Sequence, residues 1–190
     1  EDCAGDCNGD ALIDECDVCN GNNLTCSGCT DSEALNYDME ATIEDESCLY
    51  PGQNYPSWDL DNNCVLDNYN YYENNASITS IVLLDEENVS SDFDLLGAFV
   101  GTEQRGVACA NLAPEQLGGG YQFLMLIYSN EVSDEEVTFQ FYDIETDMIY
   151  DISETIEFVS DTSLGNVLDP FIFNVNLGVD IDVSMIEGWN

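Results

Sequence analysis

The sequence predicts a mainly β protein: an antiparallel β-sandwich, Ig-like or jelly-roll-like, preceded by a small disulfide-rich, metal-binding N-terminal region. Three observations carry that prediction. Seven of the nine cysteines (Cys3, Cys7, Cys16, Cys19, Cys26, Cys29 and Cys48) lie before residue 50. Beyond about residue 70, short runs rich in β-branched and aromatic residues alternate with turn residues. Finally, 40 acidic groups face one basic side chain, giving a formal net charge of −39 over 190 residues.

Residues 1–50 contain few large apolar groups besides Leu12, Ile13, Leu24, Leu35, Tyr37, Met39 and Ile43. That is too little for an independent core, so disulfides or metal must hold the segment. Cysteines at this density indicate an oxidising, extracellular setting. The spacings Cys16-x-x-Cys19 and Cys26-x-x-Cys29 also suit a zinc ribbon. The surrounding Asp, Asn and Gly residues favour hard, oxygen-seeking cations instead, and the cysteine count exceeds one zinc site. Disulfides are the preferred reading, with Cys29 to Cys48 the best single pairing and the rest of the connectivity open. Nine is odd, so one thiol stays free or joins another chain; Cys109 is a candidate unless it pairs with Cys64.

Residues 51–70 read as a linker carrying an acidic loop, and residues 71–177 as the sandwich. Strands are expected at Ala76 to Leu84, Leu95 to Val100, Gln104 to Cys109, Tyr121 to Tyr128, Val137 to Tyr142, Met148 to Ile152, Thr155 to Val159 and Phe171 to Leu177. Several alternate cleanly, as in Phe139 and Phe141 around Gln140. Short helical turns are expected at Asp31 to Tyr37, where Thr30 and Glu33 have capping-box spacing, and at Pro114 to Leu117. Residues 178–190 continue as an alternating strand through Val179, Ile181, Val183 and Met185, open to donation to a neighbouring subunit. The chain opens at Glu1 with neither an initiator Met nor a signal peptide, and so reads as a mature product or a piece of a longer polypeptide.

Charge excludes several functions. Phosphate recognition needs clustered Lys and Arg, and Arg105 stands alone, so neither nucleic acid nor an anionic membrane surface is a partner. Arg105 itself is expected to pair with a carboxylate. Without His or Lys there is no Ser-His-Asp or Cys-His nucleophile, Schiff base or P-loop. An enzyme would have to use carboxylates alone, and 40 of them make any glycosidase-like pair uninformative. The chain is read as having no catalytic residues. No apolar run reaches the length of a membrane span.

Acidic spacing points to calcium. Asp6, Asn8, Asp10, Asp14 and Asp17 fall at relative positions 1, 3, 5, 9 and 12, the oxygen-ligand spacing of a calcium loop. Asp59, Asp61, Asn63, Asp67 and Asn70 repeat it. A third occurrence, from Asp143 to Glu154, is better explained by strand alternation around a hairpin turn. None has Gly at the sixth position, so these are not EF-hands. Asp92 and Asp94 offer a further cation position at a sheet tip, or a charged hairpin end.

Cys3-Ala-Gly, Cys7-Asn-Gly-Asp, Asp14-Glu-Cys-Asp-Val-Cys-Asn-Gly and Gly28-Cys-Thr-Asp-Ser-Glu-Ala-Leu-Asn-Tyr resemble the Cys- and Asp-rich modules of large secreted, multidomain surface proteins of Bacteroidetes-like bacteria. Their first part is similar to thrombospondin type 3 calcium repeats. Leu95-Leu-Gly-Ala-Phe-Val, Arg105-Gly-Val-Ala and Val137-Thr-Phe-Gln-Phe-Tyr-Asp resemble a β-sandwich module of the same proteins. The resemblance implies an extracellular spacer, adhesive or fibre-forming role and carries over no catalytic residue. Together these readings describe a calcium-stabilised subunit of an extracellular filament or adhesin, assembling head to tail with copies of itself. The alternative is a carbohydrate-binding or adhesive module of a larger secreted protein, engaging surface glycans through exposed aromatics such as Tyr69, Tyr71 and Tyr72. Sequons at Asn23, Asn75 and Asn88 add only a weak glycosylation signal.

Overall fold

In the computed structural model the chain divides into two compact units, Glu1–Gln53 and Asn54–Asn190. The structure describes residues 1–5, 7, 9–59 and 62–176. Asp6, Asn8, Asp61 and the expected strand at 178–190 therefore lie outside the described residues.

The first unit has almost no regular structure. Its described strands are β1 (Ser27–Gly28) and β2 (Ile43–Glu44), paired in parallel. Leu12, Leu24 and Met39 stand exposed, so apolar burial does not organise this segment. Covalent links do. Cys3–Cys19, Cys16–Cys26 and Cys29–Cys48 are bonded, and each closes a loop of a size that contributes about 3 kcal/mol through chain entropy. Between the links, carboxylates hold the turns: Asp2 accepts the main-chain N–H groups of Ala4 and Ala11, and Asp38 accepts that of Glu40. The helical turn expected at Asp31 to Tyr37 does not form. Asp31 instead accepts the Glu33 N–H, and Thr30 donates to Glu44, so the capping-box partners are engaged elsewhere.

The second unit is built of β3 (Asn74–Leu84), β4 (Glu87–Asn88), β5 (Leu95–Val100), β6 (Glu103–Leu112), β7 (Tyr121–Ser129), β8 (Glu135–Asp143), β9 (Met148–Ile152), β10 (Ile156–Phe158), β11 (Ser163–Leu164) and β12 (Phe171–Asn176). Short 3-10 turns occupy Tyr69–Tyr71 and Glu115–Leu117. The expectation of a mainly β fold holds. An open-edged sandwich is not what the pairings make. Strand order runs β8, β5, β6, β7, β3, β12, β9 and returns to β8, a closed ring of seven strands. Most neighbours are antiparallel, but β11 and β12 lie parallel to β3.

Two strands turn the corners of the ring. β6 pairs with β5 through Cys109 and then with β7 from Ala110 to Leu112. A Cβ on Gly106 would sit 2.7 Å from the Leu126 carbonyl oxygen, so only glycine lets β6 lie this close to β7. β12 pairs with β3 from Phe171 to Asn174, then with β9 at Val175 and Asn176. That last seam is narrow. A side chain completes it: Glu154 accepts both the Asn174 main-chain N–H (2.7 Å) and its Nδ2 (2.6 Å).

Alternation along the strands fills the interior. Ile78 and Val82, Phe123, Met125 and Ile127, Val137, Phe139 and Phe141, and Phe173 form one buried cluster. A second, smaller cluster lies on the outside of the ring, where Tyr55 and Trp58 lie against β5, β6 and β8. Trp58 packs there with Leu95, Val107 and Tyr142, with Tyr55 and Phe99 against them. This corrects the linker expected at 51–70: from Asn54 onward the segment is a strap bound to the barrel. Asn54 bonds Asp147, Gln104 Nε2 donates to the Trp58 carbonyl (2.8 Å), and Cys64 is joined to Cys109. Cys109 is therefore not a free thiol; Cys7, exposed, is the unpaired cysteine among the described residues. Gly97 makes room for the strap, since a Cβ there would meet the Phe99 ring at 2.8 Å and Trp58 at 3.1 Å. Gly97→Ala is expected to destabilise the second unit by about 1–3 kcal/mol through this overpacking. Urea unfolding followed by circular dichroism tests it, with an unchanged midpoint the contrary result.

Candidate functional site

The acidic positions singled out by spacing behave in two ways. Asp10 and Asp17 are exposed, as are Asn63, Asp67 and Asn70 in the strap. Asp14 and Asp59 instead turn inward on their own loops. Asp14 Oδ1 accepts the N–H groups of Cys16 (2.9 Å) and Val18 (2.8 Å), while Oδ2 accepts that of Asn23 (2.8 Å). These donors, Asn23 first, hold its carboxyl below the usual carboxylate range. Gly21 leaves the space the carboxylate occupies, because a Cβ there would fall 1.9 Å from Asp14 Oδ2. Asp59, only 1 % exposed, accepts the N–H groups of Asn63 (3.0 Å) and Cys64 (2.8 Å) beside the Cys64–Cys109 disulfide.

Convergence on a cation requires several oxygens pointing at one centre. Among the described residues, the groups of three Cys, Asp or Glu ligand atoms within 4.8 Å of one another are Cys29, Glu44, Cys48 and Asp59, Cys64, Cys109. In both, the two sulfurs are locked in a disulfide and supply no thiolate. Among the described residues no three carboxylates meet within that distance. Asp14, Asp59 and Asn63 accept main-chain N–H groups, and Asp10, Asp17, Asp67 and Asn70 are exposed, while Asp6, Asn8 and Asp61 of the two expected loops lie outside the described residues. The third acidic run is a hairpin turn, with Asp143 accepting the Glu145 N–H and Asp147 accepting from the Tyr142 hydroxyl.

Asp92 and Asp94 separate from each other. Asp92 is exposed. Asp94 has no exposed surface and ties two elements together, accepting the Ser91 N–H (2.6 Å) and, across the barrel wall, the Ile144 N–H (2.9 Å). Desolvation pushes its carboxyl up to about 6, against those two favourable bonds.

The single cation is equally engaged. Arg105, 7 % exposed, donates through both terminal nitrogens to Glu135 (3.0 and 3.3 Å), and also to Glu103 and the Tyr128 carbonyl. Its guanidinium lies 5.0 Å from the Tyr72 ring centroid. Arg105 is therefore a paired structural cation. Tyr72 in turn donates to Glu103 (2.8 Å). Of the aromatics named from the sequence, Tyr71 is 74 % exposed and Tyr69 49 %, whereas Tyr72 is half-buried.

Sequence reasoning missed what adjoins them. On the outer face of β7, Leu124, Leu126 and Tyr128 border a groove of about 140 Å³ shared with Val65 and Leu66 of the strap. The sequence signal is the unbroken apolar run from Phe123 to Tyr128 inside the strand expected at Tyr121 to Tyr128.

Asp94 gives a pH signature. Its folded-state value lies above the ordinary 3.8, so the folded chain holds the proton more tightly than the unfolded one. Stability from this group is full below about 4 and falls as pH rises through about 6, by about 3 kcal/mol. Asp94→Asn is expected to flatten that part of the stability profile between pH 4.5 and 7.5, and an unchanged slope in denaturant titrations would contradict the assignment. Comparison with family models, curated proteins and solved structures finds no match to this chain.

Proposed function

We propose that this chain is a non-catalytic structural module of an extracellular filament or adhesin. Four disulfides place it in an oxidising, non-cytoplasmic environment, and secretion to the cell surface is the reading built on that. The observation that carries the proposal is where the chemistry of the chain goes. Asp14, Asp59, Asp94 and Glu154 hold main-chain N–H groups, Arg105 holds the barrel end, and the paired cysteines clip loops that lack a core. Groups of that kind maintain shape.

Head-to-tail assembly by strand addition fits one feature of the barrel. β9 pairs with β8 from Met148 to Asp151, and among the described residues its other side pairs with β12 at Asp151 and Ile152. Met148 and Ile149 are both partly exposed on this edge. An apolar strand edge can accept a strand from another chain. Calcium enters as a surface counter-ion: a field of −39 charges concentrates divalent cations, and their screening lets like-charged copies approach.

Negative-stain microscopy of the concentrated protein in millimolar calcium is expected to show filaments, and single particles alone would reject the assembly. Surface screening further predicts that calcium and magnesium at equal concentration raise Tm alike. A rise confined to calcium would mean a selective cage instead.

A further inference from the structure

The outer face of β7 differs from the rest of this acidic surface. Leu124 and Leu126 are 54 % and 46 % exposed there, and Val65 of the strap is 40 % exposed beside them. Tyr128 continues the row. Its ring lies 5.9 Å from Tyr69 and 6.3 Å from Tyr72, and Tyr71 projects from the same 3-10 turn. None of the residues bordering the groove is charged, in a chain where 40 of 190 residues are acidic. We propose that this strip binds a neutral polysaccharide, with Tyr69 and Tyr71 stacking on sugar rings and Leu124, Leu126 and Val65 covering the adjoining apolar surface.

Each alternative occupant meets a physical obstacle. An extended peptide needs a free strand edge, but β7 pairs with β3 from Phe123 to Ser129 and with β6 from Tyr121 to Phe123, and Gly106 of β6 lies so close to the Leu126 carbonyl that a Cβ there would fall 2.7 Å from it. An anionic polymer or lipid surface is repelled by the net charge of −39. A second copy would bring the same charge, with no strand edge here to join. A neutral glycan avoids all three. Its pyranose faces are apolar C–H surfaces that match tyrosine rings, and its hydroxyls are served by the phenol groups and by the exposed Asn70 between Tyr69 and Tyr71 in the chain.

The platform is also held in advance. Leu66, 4 % exposed, and the Cys64–Cys109 bond pin the strap just before the 3-10 turn. Tyr72 is fixed between Arg105 and Tyr128 with its hydroxyl on Glu103. Rings ordered before the ligand arrives lose little freedom on binding. Tyr71 is 74 % exposed and the ring that Tyr69 meets is that of Tyr128 on the outer face, so truncating both tests binding without touching the buried core.

Affinity gel electrophoresis through a panel of neutral polysaccharides (hydroxyethylcellulose, xylan, galactomannan) with alginate as an anionic comparison provides the test, and it does not depend on filament assembly. The wild-type chain is expected to be retarded by at least one neutral polymer and not by alginate. Tyr71→Ala combined with Tyr69→Ala is expected to weaken that retardation about tenfold or more, with Tm unchanged. Absence of retardation by every neutral polymer overturns the proposal, as does retardation that survives the double substitution. Self-association in sedimentation runs that Leu124→Glu abolishes would assign the face to a second copy and likewise overturn it.

Discussion

Forty carboxylates with a single guanidinium among them must draw their hydrogen-bond donors from the main chain, and this shortage of cations shapes the structure at every level. Turns close on Asp2, Asp14, Asp38 and Asp59, each accepting main-chain N–H groups of the residues that follow. Asn and Asp residues with positive φ, such as Asp17, Asn20, Asn23 and Asn62, give these turns their curvature. The same pairing operates in the barrel. Asp94 joins the β5 approach to the turn after β8, and Glu154 replaces missing ladder bonds at the β9–β12 seam. A hydrogen bond to an ionised acceptor contributes about 1.5–3 kcal/mol where it is sheltered from water, so a few such bonds offset a substantial part of the mutual repulsion.

Repulsion also explains the division of labour between the two units. In Glu1–Gln53 apolar side chains are few and largely exposed, and disulfides limit the unfolded chain instead. In the second unit the ring of strands encloses a core dense in Phe, Ile and Val, and the one Cys64–Cys109 bond fastens the strap outside it. The strap converts the outer face of β5 and β6 into a second buried layer. This is why Leu95 to Ala98 is buried at successive positions, inner and outer alike.

Two strands illustrate how far local pattern reaches. Leu95–Val100 and the Phe123 to Tyr128 stretch of β7 are both unbroken apolar runs in expected strands, a pattern that suits burial on two faces. The first is so covered, by the core and by Trp58. The second has only its inner face buried, leaving Leu124 and Leu126 outside. The calcium-loop spacing shows the same boundary. Positions 10, 14 and 17 recur as the spacing requires, but Asp14 folds back on Cys16, Val18 and Asn23 while Asp10 and Asp17 face solvent. Spacing states which oxygens are near in the chain; it does not state which donor each one meets first.

Composition and short-range pattern were enough to determine the mainly β class, the strand positions and the cysteine-held first segment, because periodicity, turn chemistry and cysteine density are properties of neighbouring residues. Ring closure, the strap and the pairing of Cys64 with Cys109 were decided only in three dimensions. They bring together residues 45 or more positions apart, as with Cys64 and Cys109 or Asn54 and Asp147. At such separations, packing complementarity rather than local preference selects the partner.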